Sequence, residues 1–159
     1  MEHLLQYAKL RLPENWEDRT TYQFVSPAEP LDSLPLLTGK KATTIAARIN
    51  CVISRIRIEP SQKLSNFVDA QEQAFRQSLD KYVLESKEPW VHPQHGSIPV
   101  IDMTFEFQPG LSLRQAHAFF ATANGNTLVN LTLSAEKQIF SKRLRELQKI
   151  FQDFNLTKD

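Results

Sequence analysis

The spacing of apolar and polar residues changes period several times along this chain, and each change predicts an element. Residues 7–12 read as a short strand ending at Pro13, and Pro13 to Arg19 as a polar turn holding Trp16. Thr20 to Ser26 alternates, with Tyr22 and Phe24 on one face and Thr21, Gln23 and Val25 on the other. Pro27 to Lys40 contains Pro27, Pro30, Pro35 and Gly39 and predicts a long loop, with Leu31, Leu34, Leu36 and Leu37 packing it down. Thr43 to Ile58 is the longest strand pattern. Ile45, Ala47, Ile49, Cys51 and Ile53 share one of its faces; Arg48, Asn50 and Val52 share the other. After Arg55 the apolar phase moves to Ile56 and Ile58. A slip of one residue in a period-two pattern flips the buried face, so a bulge or strand end is expected near Ser54-Arg55.

Beyond Pro60-Ser61 the period lengthens. Leu64, Phe67, Val68, Gln71, Phe75 and Leu79 fall on one stripe of a helix from about Leu64 to Leu79, with Gln71 its polar member. Lys81 to Ser86 reads as a strand and Glu88 to Gly96 as a turn region. Ile98 to Gln108 alternates, with Ile101, Met103, Phe105 and Phe107 opposite Val100, Asp102, Thr104 and Glu106. Leu111 to Thr122 and Thr127 to Leu133 form a hairpin about Asn124-Gly125. Ser134 caps a last helix with Phe140, Leu144, Leu147, Phe151 and Phe154 facing the core. This order predicts an α+β fold: a mostly antiparallel sheet with two main helices packed on one face. The other face is left to water or to a partner.

Composition narrows the function more by exclusion than by signature. At 159 residues and 41 % hydrophobic, the chain has the length and apolar content of one packed domain, taken as residues 1–159. Nineteen basic and eighteen acidic residues interleave to a net charge of +1, which leaves no electrostatic footprint for nucleic acid. Phe105, Phe107, Phe119 and Phe120 lack the interleaved Lys and Arg of a base-stacking platform. The lone Cys51 forms no internal disulfide and reads as a small apolar strand residue. No apolar run approaches the ~20 residues that cross a bilayer, and the start of the chain lacks a signal-peptide pattern. A cytoplasmic protein without stable membrane insertion is expected.

Catalytic chemistry is absent from the pattern. The four glycines are isolated, so no phosphate-cradling loop exists, and there is no nucleophile elbow. His92 and His95 stand three apart in a turn without further ligands at a metal-site spacing. Asp102 and Glu106 project from one strand roughly 13 Å apart, too far for a glycosidase pair. The expectation is no enzyme, no cofactor, no catalytic residue and no metal.

Several short features, taken in order, resemble the DcrB-related family: the turn Leu12-Pro13-Glu14-Asn15-Trp16, the strand Cys51-Val52-Ile53-Ser54-Arg55, the helix with Phe67, Val68 and Gln71, the His95-Gly96 turn, Asp102, and the Arg114-Gln115 step. Within it they look most like the effector-associated (Eag) chaperones of bacterial type VI secretion. The resemblance implies a Mog1/PsbP-like fold and a homodimer whose exposed sheet faces cradle the hydrophobic N-terminal transmembrane region of a secreted effector. Positions matching the family's binding surface include Val52, Gln71 and Gln115, with Leu113 offering apolar cover. Thr21 and Gln23 fall where relatives carry aliphatic residues. The competing reading is a non-chaperone adaptor of the same fold that binds a soluble protein partner.

Overall fold

The computed structural model describes residues 2–5, 8–11, 21–26, 48–123 and 125–156. The N-terminal stretch holds an antiparallel two-stranded hairpin, β1 (Glu2–Leu5) with β2 (Ala8–Arg11). The main sheet contains β3 (Thr21–Val25), β4 (Asn50–Arg57), β5 (Val83–Ser86), β8 (Val100–Gln108), β9 (Leu111–Ala121) and β10 (Thr127–Glu136). Its order is β3-β4-β10-β9-β8-β5, and every neighbouring pair is antiparallel. A small hairpin, β6 (Trp90–His92) with β7 (Gly96–Ile98), occupies the stretch expected as a turn. Among the described residues the helices are α1 (Leu64–Ser78), α2 (Lys137–Lys142) and α3 (Leu144–Asp153). The expected loop at Pro27 to Lys40 and the Trp16 turn lie outside the described residues, as does the start of the strand pattern at Thr43.

The fold is α+β with an antiparallel sheet, and its helices divide between the two faces. Val100, Ala116, Ala118, Phe120, Val129, Leu131 and Leu133 share one face and form a core with Ile139, Phe140, Leu147 and Phe151 of α2 and α3. The alternate residues Ile101, Met103, Phe119 and Leu128 form a second core with Phe67 and Val68 of α1. Alternation along a strand sends successive side chains to opposite sides, so apolar residues at both phases of β8, β9 and β10 require cover on both. Gathering the helices on one side would have left Ile101 and Met103, both fully buried, in water.

This arrangement also corrects the expected bulge in β4. The strand runs unbroken, pairing residue for residue with β10 from Asn50↔Ser134 to Arg57↔Thr127. Cys51 and Ile53 pack into the α2–α3 core, whereas Ile56 and Ile58 pack into the α1 core. The apolar phase changes because the covering layer changes along the strand, with the backbone register intact. Burial pushes the half-buried Cys51 thiol pKa up, which disfavours the thiolate.

The start of α2 is a second correction. Ser134 is still inside β10, opposite Gln115 and Asn50. The cap is Glu136, whose Oε2 accepts from the backbone N–H groups of Gln138 at 2.8 Å and Ile139 at 3.1 Å. A carboxylate there satisfies orphan donors and complements the positive end of the helix. Nearby, Arg114 donates to both oxygens of Asp102 at 2.9 and 2.7 Å, and its guanidinium lies 5.0 Å from the Phe140 ring centroid. Sheet and α2 are thereby held together where the apolar core ends. The register shift in β5 accompanies a bond from Thr104 Oγ1 to Glu85 Oε1 at 2.6 Å; that bond, with Lys137 at 3.4 Å, holds the Glu85 pKa below its ordinary value.

Candidate functional site

The register gathers the residues singled out from the sequence onto one side. On the α1 face lie Thr21 and Gln23 of β3, Val52 and Ser54 of β4, Asn130 and Thr132 of β10, and Leu113, Gln115 and His117 of β9. Gln71 belongs to α1, which packs on the same face. Thr21 and Gln23 are exposed, and Val52, Gln71 and Gln115 are half-buried. Leu113 shares the face but is only 7 % exposed, so it adds little surface for a partner.

Helix α1 covers this face unequally. Phe67 meets Phe119 edge-on at 5.6 Å between centroids, and Phe75 lies 4.8 Å from the His117 ring. One flank of the helix is tied toward the β5 edge. There Tyr82 Oη donates to Glu72 Oε1 at 3.0 Å, Arg76 donates to the same oxygen at 2.9 Å, and Lys87 pairs with Asp69. Burial, then the bond to Glu72, pushes the Tyr82 pKa up, so the phenol stays a donor. With about 100° between successive residues, Ala70, Ala74 and Ser78 fall on the opposite flank, toward β10 and β4. Among the described residues, no helix packs on the α1 face over β3 and the Asn50–Ser54 part of β4. The result is a shelf beside a helix wall: a polar floor with Val52 in it, flanked by small side chains.

The floor is ordered by its own hydrogen bonds. Asn130 Nδ2 donates to Thr132 Oγ1 at 3.2 Å, Thr132 Oγ1 lies 3.1 Å from His117 Nδ1, and His117 Nε2 lies 3.1 Å from Gln115 Oε1. At the outer strand Gln23 Nε2 donates to Asn50 Oδ1 at 3.0 Å. Burial drives the His117 pKa down to about 4, so the ring is neutral at pH 7. Sequence reading missed His117, Thr132 and Asn130. Their signal is the polar series Asn130, Thr132, Ser134 at period two inside an otherwise apolar strand.

The two histidines weighed as metal ligands sit elsewhere, against the α2–α3 core. His92 Nδ1 accepts the backbone N–H groups of Gln94 at 3.1 Å and His95 at 3.2 Å, which places its proton on Nε2. Its ring packs edge-on to Phe120 and Phe151. Among the described residues, no three His, Cys, Asp or Glu side chains group to hold a metal ion. Among them also, no helix is long and apolar enough to cross a membrane.

The molecule is thus an α+β domain whose antiparallel sheet carries α2 and α3 on one face and, among the described residues, α1 alone on the other. The chain belongs to the DcrB family, whose model matches residues 8–153. No curated protein matches it. Among solved structures, that of PA94 from Pseudomonas aeruginosa, described as a protein of unknown function, superposes with a TM-score of 0.74. It is 17 % identical, and the match covers 100 % of this chain and 98 % of the other. At that identity the likeness establishes the fold alone.

Proposed function

We propose that this DcrB-family protein is a cytoplasmic chaperone that shelters the hydrophobic N-terminal transmembrane segments of a type VI secretion effector before export. One observation carries the reading: Thr21, Gln23, Val52 and Gln115 share a face that α1 covers only in part. A transmembrane helix in water exposes apolar surface at a cost of about 25 cal/mol per Å², so it needs a temporary cover. Small-residue stripes that seat against a neighbouring helix in the bilayer would seat here against the Ala70-Ala74-Ser78 flank. Each polar bond from Gln115 or Gln71 adds only about 0.5–1.5 kcal/mol net, which favours register and selectivity over bulk affinity.

Enclosure calls for a second copy. Strand β3 has five residues, about 17 Å of floor, against about 30 Å for a spanning helix. On the reverse of β3, Tyr22 and Phe24 are 51 % and 57 % exposed, an apolar edge suited to a homodimer contact. The test is to mix the purified chain with peptides of about twenty apolar residues from effector N-termini. A stable complex that Gln115→Ala weakens is expected; indifference to every such peptide ends the proposal.

The polarity of the floor, with Thr21 and Gln23 exposed, favours a second reading. On that reading the chain is an adaptor for a soluble folded partner, and it predicts that Val52→Ser leaves binding intact.

A further inference from the structure

The polar chain on the floor has a direction, and that direction fixes what Gln115 offers. Gln115 Oε1 can only accept, so His117 Nε2 carries the proton toward it, and the free Nδ1 accepts from the Thr132 hydroxyl, whose oxygen in turn accepts from Asn130 Nδ2. A neutral imidazole that accepts at Nδ1 carries its proton on Nε2 and donates it to Gln115 Oε1. The carboxamide oxygen of Gln115 is then engaged inward. Its Nε2 forms no bond among the described residues and is not enclosed. His117 is held in place by Phe75 of α1 and by Phe119 beside it on β9.

We propose that His117 is a positioning residue for the client shelf: with Nδ1 accepting from Thr132 and Nε2–H donating to Gln115 Oε1, it turns the Gln115 carboxamide outward as a donor and makes the site select helices that bring a hydrogen-bond acceptor. The inference rests on the shelf being the client site. It adds the partner's chemistry: an apolar helix with a hydroxyl, ether or carbonyl oxygen on the side chain that meets Gln115. The far end of the chain is closed. Asn130 Oδ1 is buried without a partner, so turning that amide only exchanges one enclosed orphan for another.

The test uses the full chain and synthetic lysine-flanked leucine–alanine peptides of about twenty residues. In one series O-methylserine, which accepts but cannot donate, replaces alanine in turn at each position of the two central turns. The best acceptor peptide should bind about fivefold tighter than the all-alanine parent, the size of one net hydrogen bond. Gln115→Glu keeps the oxygen for His117 but loses the donor, so it should abolish that preference. Equal binding of all peptides to the unaltered protein overturns the selectivity and leaves the shelf standing. Failure of every peptide to bind overturns the shelf itself. Long-range proton–nitrogen spectra of ¹⁵N-histidine-labelled protein at pH 7 should show His117 protonated at Nε2. Protonation at Nδ1 overturns the relay whatever the peptides do.

Discussion

The two faces of the sheet meet the same demand, burial, in opposite ways. Under α2 and α3, Val100, Ala118, Phe120, Leu131 and Leu133 make a continuous apolar layer, and the Asp102–Arg114 pair closes it at the margin. On the other side α1 packs on Ile101, Met103, Phe119 and Leu128. Beyond it the floor changes to Thr132, Asn130 and Ser54, with Val52 and Gln23 further out. On the first face the buried Asp102 is paired with Arg114 at the margin; on the second, Asn130, Thr132, His117 and Gln115 run through the middle of the sheet, bonded to one another. The difference is why the proposed site is placed on the α1 face.

The largest expected effect breaks the sealed face. Phe120→Ala opens a cavity against Phe151 and Phe154 and should cost about 3–5 kcal/mol in urea unfolding. Next comes its ionic margin. Arg114→Ala leaves Asp102 buried without its charged partner and should cost about 3 kcal/mol. Replacing both together, Asp102→Leu with Arg114→Met, should recover most of that loss, measured as a double-mutant cycle.

The α1 face should respond to pH. His117 has a native pKa of about 4 against 6.5 when unfolded, so the unfolded chain binds the extra proton first on acidification. Its contribution is intact above pH 6.5 and is lost as pH falls from there through about 4, by about 3 kcal/mol. Urea midpoints across that range should slope for the unaltered protein and flatten for His117→Gln. The smallest effect on stability belongs to the shelf: Gln23→Ala and Val52→Ser should shift unfolding by about 0.5 kcal/mol or less. Loss of peptide binding by Val52→Ser at unchanged stability would sharpen the contrast between the faces.

Much of this was legible in the chain. The stripe from Leu64 to Leu79 gave α1 within a residue, and strict alternation put Thr21 and Gln23 together, and Val52 opposite Ile53. What periodicity could not carry was which face each helix covers, because apolar residues at both phases of β8 look the same under either arrangement. The β6–β7 hairpin was hidden by Pro89, Pro93 and Pro99, which read as loop, and by strands of only three residues. The Ile53-to-Ile56 phase change imitated a bulge, since sequence records a change of cover and a change of register alike. Gln115 was visible as a polar strand residue, whereas its bond to His117 depends on side-chain geometry two residues apart on one face.

Val52 and Ile53 are adjacent in β4 and lie on opposite faces of the sheet. Their methyl resonances, followed during titration with an apolar peptide of about twenty residues, test the central claim most directly. Docking on the α1 face should move Val52 and leave Ile53 in place. Movement of Ile53 with Val52 unchanged, or of neither at saturating peptide, would contradict it.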